Sequence, residues 1–147
     1  MIDHQIHKSL DDDIKLVDLT KISDPRGSLT FVEGDVHVPF KVRRVYYLYD
    51  VTTGSARAGH AHYDLEQLVI AVSGSFDLVL DNGHERRTLT CNRPWVGVHM
   101  KSLVWRDLNN FSSGAVCLVL ASQRYAESDY IRDYDKFMDV VQSRSKQ

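Results

Sequence analysis

Between residue 14 and about residue 121 the chain is a succession of short runs rich in branched and aromatic residues, each cut off within a few positions by a turn signal. Runs this short do not make helices of ordinary length. Spaced this evenly, with no solenoid repeat and no low-complexity linker, they predict the strands of a sandwich or barrel. The predicted strands are 14–20, 28–33, 43–49, 66–73, 75–80, 86–90, 95–100, 103–108 and 115–121. Asp81-Asn82-Gly83 lies between two of them, and Asn-Gly favours the positive backbone angles of a tight hairpin. Beyond Ala121 the period changes. Tyr130, Ile131, Tyr134, Phe137, Met138 and Val141 recur on one helical face, predicting a helix over about 128–142, with Ser128 or Asp129 at its cap, packed outside the strands.

The 147 residues, 43% hydrophobic and 26% charged, suit one domain spanning the whole chain and therefore one site. No stretch is apolar for long enough to span a bilayer, and the opening MIDHQIHKSLDDD is acidic and polar where a secretory signal is basic and then apolar. A cytoplasmic protein with no membrane partner is expected. Cys91 and Cys117 lie in or beside apolar runs without a partner at zinc-binding or redox spacing, which predicts buried free thiols. With a formal charge of −2 and scattered basic residues, the chain lacks the electropositive face that tracks a nucleic acid. Individual arginines remain suited to one or two phosphates on a small ligand.

The segment from Gly54 to Glu66 carries the chemistry. In a strand, His60 and His62 point to the same face, because side chains alternate with period two, and so they share one cavity. Ala61 between them is small, Arg57 precedes His60 by three positions, Glu66 follows His62 by four, and Gln67 adds a polar group where an apolar strand begins. Solvent-facing histidines on a barrel exterior are the plain alternative for an isolated pair. This spacing resembles the first motif of the cupin superfamily, which implies a jelly-roll β-barrel with the histidines at its mouth. In many cupins two histidines and the glutamate bind a divalent metal together with a later histidine, a ligand set suited to iron, manganese or zinc. Trp105 stands where that later ligand is usual, and His99 precedes the turn, where it reads as structural or surface-exposed.

Further segments narrow the resemblance. Asp24-Pro25-Arg26-Gly27, Arg44-Val45-Tyr46-Tyr47, Arg57-Ala-Gly-His60-Ala-His62, Val72-Ser73-Gly74-Ser75, Leu118-Val-Leu-Ala-Ser122 and Glu127-Ser-Asp-Tyr130-Ile131-Arg132-Asp133-Tyr134 are similar to the dTDP-4-keto-6-deoxyglucose 3,4-ketoisomerases, over nearly the whole chain. The resemblance implies a homodimeric isomerase that uses no metal or other cofactor, acts on a dTDP-linked 4-keto-6-deoxy sugar and supplies an aminotransferase making 3-amino-3,6-dideoxyhexoses for surface glycans or antibiotics. Tyr63 departs from the pattern, since lysine is common after His-Ala-His, and is expected to alter the pocket rim.

Moving a carbonyl from C4 to C3 requires a base for the C3 proton, an enediol, and an acid for C4. Histidine, with an unperturbed pKa of about 6.5, suits both steps, so His60 and His62 are the candidate acid/base pair, with either one in either role. Tyr46 matches the family's active-site tyrosine and is the third catalytic candidate. Arg57 and Arg26 are candidates for the pyrophosphate, Arg44 and Arg106 are weaker ones, and Gln67 and Glu33 could meet the base or sugar. The competing readings are a metal-dependent cupin of the dioxygenase type, a cupin that binds sugar nucleotides without turnover, and a 3,5-epimerase.

Overall fold

The computed structural model describes residues 9–145. Residues 1–8, part of the acidic opening behind the cytoplasmic expectation, lie outside the described residues. The strands are β1 (Ile14–Asp18), β2 (Thr20–Asp24), β3 (Gly27–Phe31), β4 (Arg44–Leu48), β5 (Arg57–His62), β6 (Gln67–Ser73), β7 (Phe76–Asp81), β8 (Arg86–Cys91), β9 (Val96–Met100), β10 (Trp105–Asn109), β11 (Val116–Ala121) and β12 (Tyr130–Ile131), followed by helix α1 (Tyr134–Ser145). They form two facing antiparallel sheets, ordered β1-β9-β6-β11-β4 and β12-β5-β10-β7-β8, and a separate hairpin, β2-β3. The architecture is all-β with a C-terminal helix, the two-sheet arrangement that the strand pattern allows and the jelly roll that the cupin resemblance implies.

Alternation decides what lies between the sheets. Val69, Ala71, Val98, Met100, Cys117 and Val119 from one sheet meet Phe76, Leu78, Leu80 and Leu108 from the other. Both cysteines are free and buried in or beside this core, and burial pushes their thiols up to about 11 for Cys91 and 12 for Cys117. The first sheet is covered outside as well, where Leu68, Ile70 and Leu120 pack against Leu19, Val38 and Phe40.

The β7–β8 hairpin forms where Asn-Gly predicts it, but as a four-residue loop over 82–85 in which only Gly83 of the pair takes a positive φ. Asn82 Oδ1 accepts from the backbone N–H of His84 and of Glu85, and Gly83 sits at φ +89°. A Cβ at Gly83 would come within 2.9 Å of Val141 Cγ1, so this turn also seats the helix. Phe137 and Val141 of α1 bury themselves against Ala61, Trp105 and Ile131 on the outside of the second sheet.

The helix begins later than its periodicity predicts. Residues 127–129 form a single 3₁₀ turn, and Tyr130 and Ile131 pair with His62 and Ala61 as a short strand on the edge of β5. Asp133, rather than Ser128 or Asp129, caps the helix, accepting from the Lys136 N–H at 3.1 Å. Filling the open edge of β5 outweighs the helical pattern of Tyr130 and Ile131. Among the described residues no helix is long and apolar enough to cross a membrane.

Candidate active site

A bulge in β5 sets the site. His60 lies opposite Arg106, but Asp107 lies opposite Ala58, so Gly59 is the extra residue, at φ +76°, beside Ala58 at φ +73°. The bulge resets the alternation. Directly opposed residues in an antiparallel pair share a face, so His60 and Arg106 both turn inward, and Tyr130, opposite His62, joins them. From the other sheet the same rule brings in Gln67 and Arg44, both opposite Ala121, and Tyr46, opposite Val119.

These residues enclose a cavity of about 560 Å³, lined by Arg44, Tyr46, Arg57, His60, Gln67, Arg106, Tyr130 and Arg132 over an apolar floor that includes Val69, Leu78 and Met100. Its size and mixed lining suit a small polar ligand. Across the floor, Arg106 NH1 donates to Gln67 Oε1 and NH2 to the Val104 carbonyl at 2.9 Å. With its oxygen held by the arginine, the Gln67 amide turns Nε2 to the Tyr46 hydroxyl, donating at 3.0 Å. The phenol oxygen therefore accepts from Gln67, and its own hydrogen is free to face the cavity.

Burial and charge act together on the titrating groups. Burial first, then the Arg106 and Arg132 charges, lowers His60 to about 3, so the imidazole is neutral at pH 7. The same burial and the Arg106 charge drive His62 down, with the Asp129 carboxylate at 3.1 Å from Nδ1 working against them. Burial raises the Tyr46 phenol, opposed by Arg106, so it stays protonated. Arg106 itself falls to about 10 through burial and remains charged. Among the described residues, the buried side-chain nitrogens or oxygens without a protein partner are Arg44 Nε, His60 Nε2, His62 Nε2 and Arg106 Nε, all at this cavity or directly behind it. Buried polar atoms are normally bonded, so unpartnered nitrogens on His60, Arg44 and Arg106 at the cavity wall mark it as a place suited to a polar ligand.

The structure sorts the sequence candidates. His60, Tyr46, Arg57, Arg44, Gln67 and Arg106 line one cavity. His62 is fully buried behind it, its ring perpendicular to that of His60 with centroids 4.8 Å apart. The two imidazoles adjoin, but only His60 is exposed to the cavity. Arg26 does not reach it. At the tip of the β2–β3 hairpin its side chain is 90% exposed and paired with Asp24 at 2.7 Å. Glu33 is exposed in the loop after β3, also away from the cavity. Tyr63 packs beside the α1 cluster rather than at the cavity rim, because it follows the inward His62 by one position and faces out. Trp105 likewise points outward, against Tyr134 and Phe137. That orientation turns Arg106 inward, making this weaker candidate the central cation. The donors that the metal reading requires are dispersed: Glu66 pairs with His99 at 2.9 Å, and His99 lies against Phe40 rather than in the cavity.

Three contributors escaped sequence reasoning. Tyr130 lies over both histidines, with centroids 5.0 Å from His60 and 4.4 Å from His62. Arg132 stacks on Tyr130 at 4.3 Å and lines the cavity, and Asp129 holds His62. Helical spacing masked them, although Tyr130 and Arg132 at period two were the available strand signal.

Comparison with known proteins agrees with this geometry. Residues 12–142 match the FdtA family, described as WxcM-like, C-terminal. A TDP-4-oxo-6-deoxy-alpha-D-glucose-3,4-oxoisomerase of Aneurinibacillus thermoaerophilus is 42% identical over 127 residues, 86% of this chain and 91% of that one. Among solved structures, the sugar 3,4-ketoisomerase QdtA of Thermoanaerobacterium thermosaccharolyticum in complex with TDP matches at a TM-score of 0.88 and 39% identity, over 90% of this chain and 96% of that one. The WlaRB TDP-quinovose 3,4-ketoisomerase of Campylobacter jejuni matches at a TM-score of 0.82 and 43% identity, over 86% and 97%. The chain belongs to the FdtA family of cupin-fold sugar 3,4-ketoisomerases.

Proposed function

We propose that this protein moves the keto group of dTDP-4-keto-6-deoxyglucose from C4 to C3 through an enediol, in the cytoplasm and as a homodimer, supplying the 3-keto sugar for amination to a 3-amino-3,6-dideoxyhexose. One observation carries the reading: a neutral buried imidazole, His60, and a protonated phenol, Tyr46, line the same cavity with a permanent cation, Arg106, across its floor.

Two protons must move, one from C3 to C4 and one from the C3 hydroxyl to the C4 oxygen. His60 takes the C3 proton as the electron pair of that bond forms the C3–C4 double bond and the C4 carbonyl becomes an oxyanion. Tyr46 gives its proton to that oxygen and regains one from the C3 hydroxyl, its oxygen held in place by Gln67. Reprotonation at C4 from the His60–His62 pair leaves the carbonyl at C3, and the atoms balance without an outside oxidant. Arg106 faces the charge that develops on oxygen. Arg57 and Arg44, at the cavity wall, suit the pyrophosphate.

Support for the dimer comes from apolar side chains left in solvent. Ile22 and Leu29 on the β2–β3 hairpin are each 57% exposed, and Val45 and Tyr47 on edge strand β4 are exposed as well. A surface of this kind suits burial against a second copy.

Proton NMR of chelator-treated protein with the substrate in deuterated water tests the reaction. Formation of a 3-keto sugar carrying deuterium at C4 supports it. Deuterium at C5 alone makes the protein an epimerase, and turnover only after metal is restored supports the metallocupin reading.

A further inference from the structure

One carboxylate lies behind the cavity wall and does not line it. Asp129 is nine-tenths buried, and two backbone N–H groups and one imidazole nitrogen converge on its carboxylate. The backbone N–H of Asp64 donates to Oδ1 at 2.9 Å, that of Leu65 to Oδ2 at 3.3 Å, and His62 Nδ1 lies 3.1 Å from Oδ2. The two backbone donors cannot change role. A carboxylate that already accepts from both has only acceptor capacity to offer the ring, so His62 must carry its proton on Nδ1. The opposite nitrogen, Nε2, is then a bare lone pair, and it is buried without a protein partner.

We infer that Asp129 is a positioning residue that fixes His62 as the Nδ1–H tautomer, keeps Nε2 as the acceptor beside His60, and compensates the charge when His62 takes a proton. The inference rests on the proposed acid/base role of the histidine pair. The local fold is built for it. The 3₁₀ turn over residues 127–129 delivers the carboxylate under β5, the Tyr63 N–H donates to the Asp129 carbonyl at 3.0 Å, and Tyr130 immediately enters the sheet opposite His62. Thus one turn both seals the ring and sets its tautomer.

Asp129→Asn separates geometry from charge. The shorter bond from the Asp64 N–H, 2.9 Å against 3.3 Å from Leu65, keeps the new amide oxygen at the Oδ1 position, so the Leu65 bond is given up and the NH₂ faces His62 Nδ1. That donor forces Nδ1 to become the acceptor and moves the ring proton to Nε2. The expected kinetic result is a fall in kcat of roughly 10²–10⁴-fold with KM changed less than about threefold. Asp129→Glu, which retains a carboxylate, should recover part of kcat.

The first readout needs no turnover. Long-range ¹H–¹⁵N spectra of histidine-labelled protein, with His62 assigned by loss of its signals in His62→Asn, should show Nδ1 protonated and Nε2 pyridine-like in the wild type, and the two exchanged in Asp129→Asn. A wild-type His62 protonated on Nε2 overturns the inference whatever the enzyme catalyses. So does an Asp129→Asn variant that exchanges the tautomer yet keeps its kcat on a substrate the wild type converts. If the wild type shows the predicted tautomer but converts no keto sugar, the proposed function falls and the positioning of His62 by Asp129 stands.

Discussion

Acidification should destabilise this protein through its two buried histidines. In the unfolded chain a histidine titrates near 6.5, whereas His60 is held at about 3 in the fold, and His62 shifts the same way. A base whose folded pKa is depressed binds more protons unfolded than folded between the two values. The stability it permits is intact above about pH 6.5 and is lost as pH falls toward 3. At pH 5 the linkage for His60 amounts to about 2 kcal/mol, and an equal effect at His62 would bring the pair to about 4 kcal/mol as a ceiling. Asp129 favours the charged form of His62, so a loss of about 2–3 kcal/mol is the working expectation. Against a total stability of about 5–15 kcal/mol this is a large fraction, equivalent to roughly 5–10 °C in Tm for a chain of this length. Urea unfolding followed by circular dichroism at pH 7.5, 6.0 and 5.0 measures it, with the double variant His60→Asn/His62→Asn as control. Wild type should lose midpoint between pH 6.5 and 5 with little change in slope, and the control should lose less than half as much. Equal losses in both proteins would place the acid sensitivity elsewhere and refute the assignment of neutral buried histidines.

Other consequences are more local. His60→Asn should reduce kcat at least about 10²-fold while leaving the unfolding midpoint at pH 7.5 close to wild type, because the amide keeps polarity and loses proton transfer; steady-state turnover and urea titration check both halves. Arg106→Met should lower kcat by about 10²–10³-fold through loss of the cation facing the oxyanion, and should narrow the acid-sensitive window by raising its lower edge, since Arg106 is the largest charge depressing His60; kinetics and a pH series extended below 5 test it. Phe137→Ala, at a side chain with no exposure under α1, should cost about 3–5 kcal/mol in chemical denaturation.

Much of this was legible because strand periodicity is a local property. The short apolar runs at 66–73 and 75–80 were enough to predict β6 and β7, and the two-residue step from His60 to His62 put both rings on one face without any knowledge of the partner strands. The failures arise where the decisive partner is distant in sequence. Tyr130 and Ile131 have helical spacing relative to Phe137, yet the open edge of β5 claims them as a strand. Arg106 looked peripheral between Trp105 and Asp107. Only the placement of α1 over the outside of β10 shows that Trp105 faces out and the arginine in. Arg26 illustrates the reverse case: the Asp-Pro-Arg-Gly turn projects it as predicted, but away from the cavity of its own chain.

The position of the Arg106 head group also determines how the proposed substrate must lie. Removing the C3 proton creates an imidazolium and an oxyanion together, so a nearby cation opposes one product of the step and favours the other. For unit charges 4 Å apart each effect is about 4 kcal/mol at an effective dielectric constant of 20, and their difference depends on which charge is nearer. Arg106 starts from the strand next to His60 but does not stay there, since its guanidinium crosses the cavity floor to Gln67 on the opposite sheet, beside the Tyr46 hydroxyl. The field of the cation is therefore strongest on the Tyr46 side. Transfer is favoured only if the C4 oxygen sits there, between the phenol and the guanidinium, with the C3 hydrogen turned back toward His60. The reversed orientation would place the oxyanion at the histidines, away from the strongest field of the cation, and would turn the C3 hydrogen away from His60, the base that must take it.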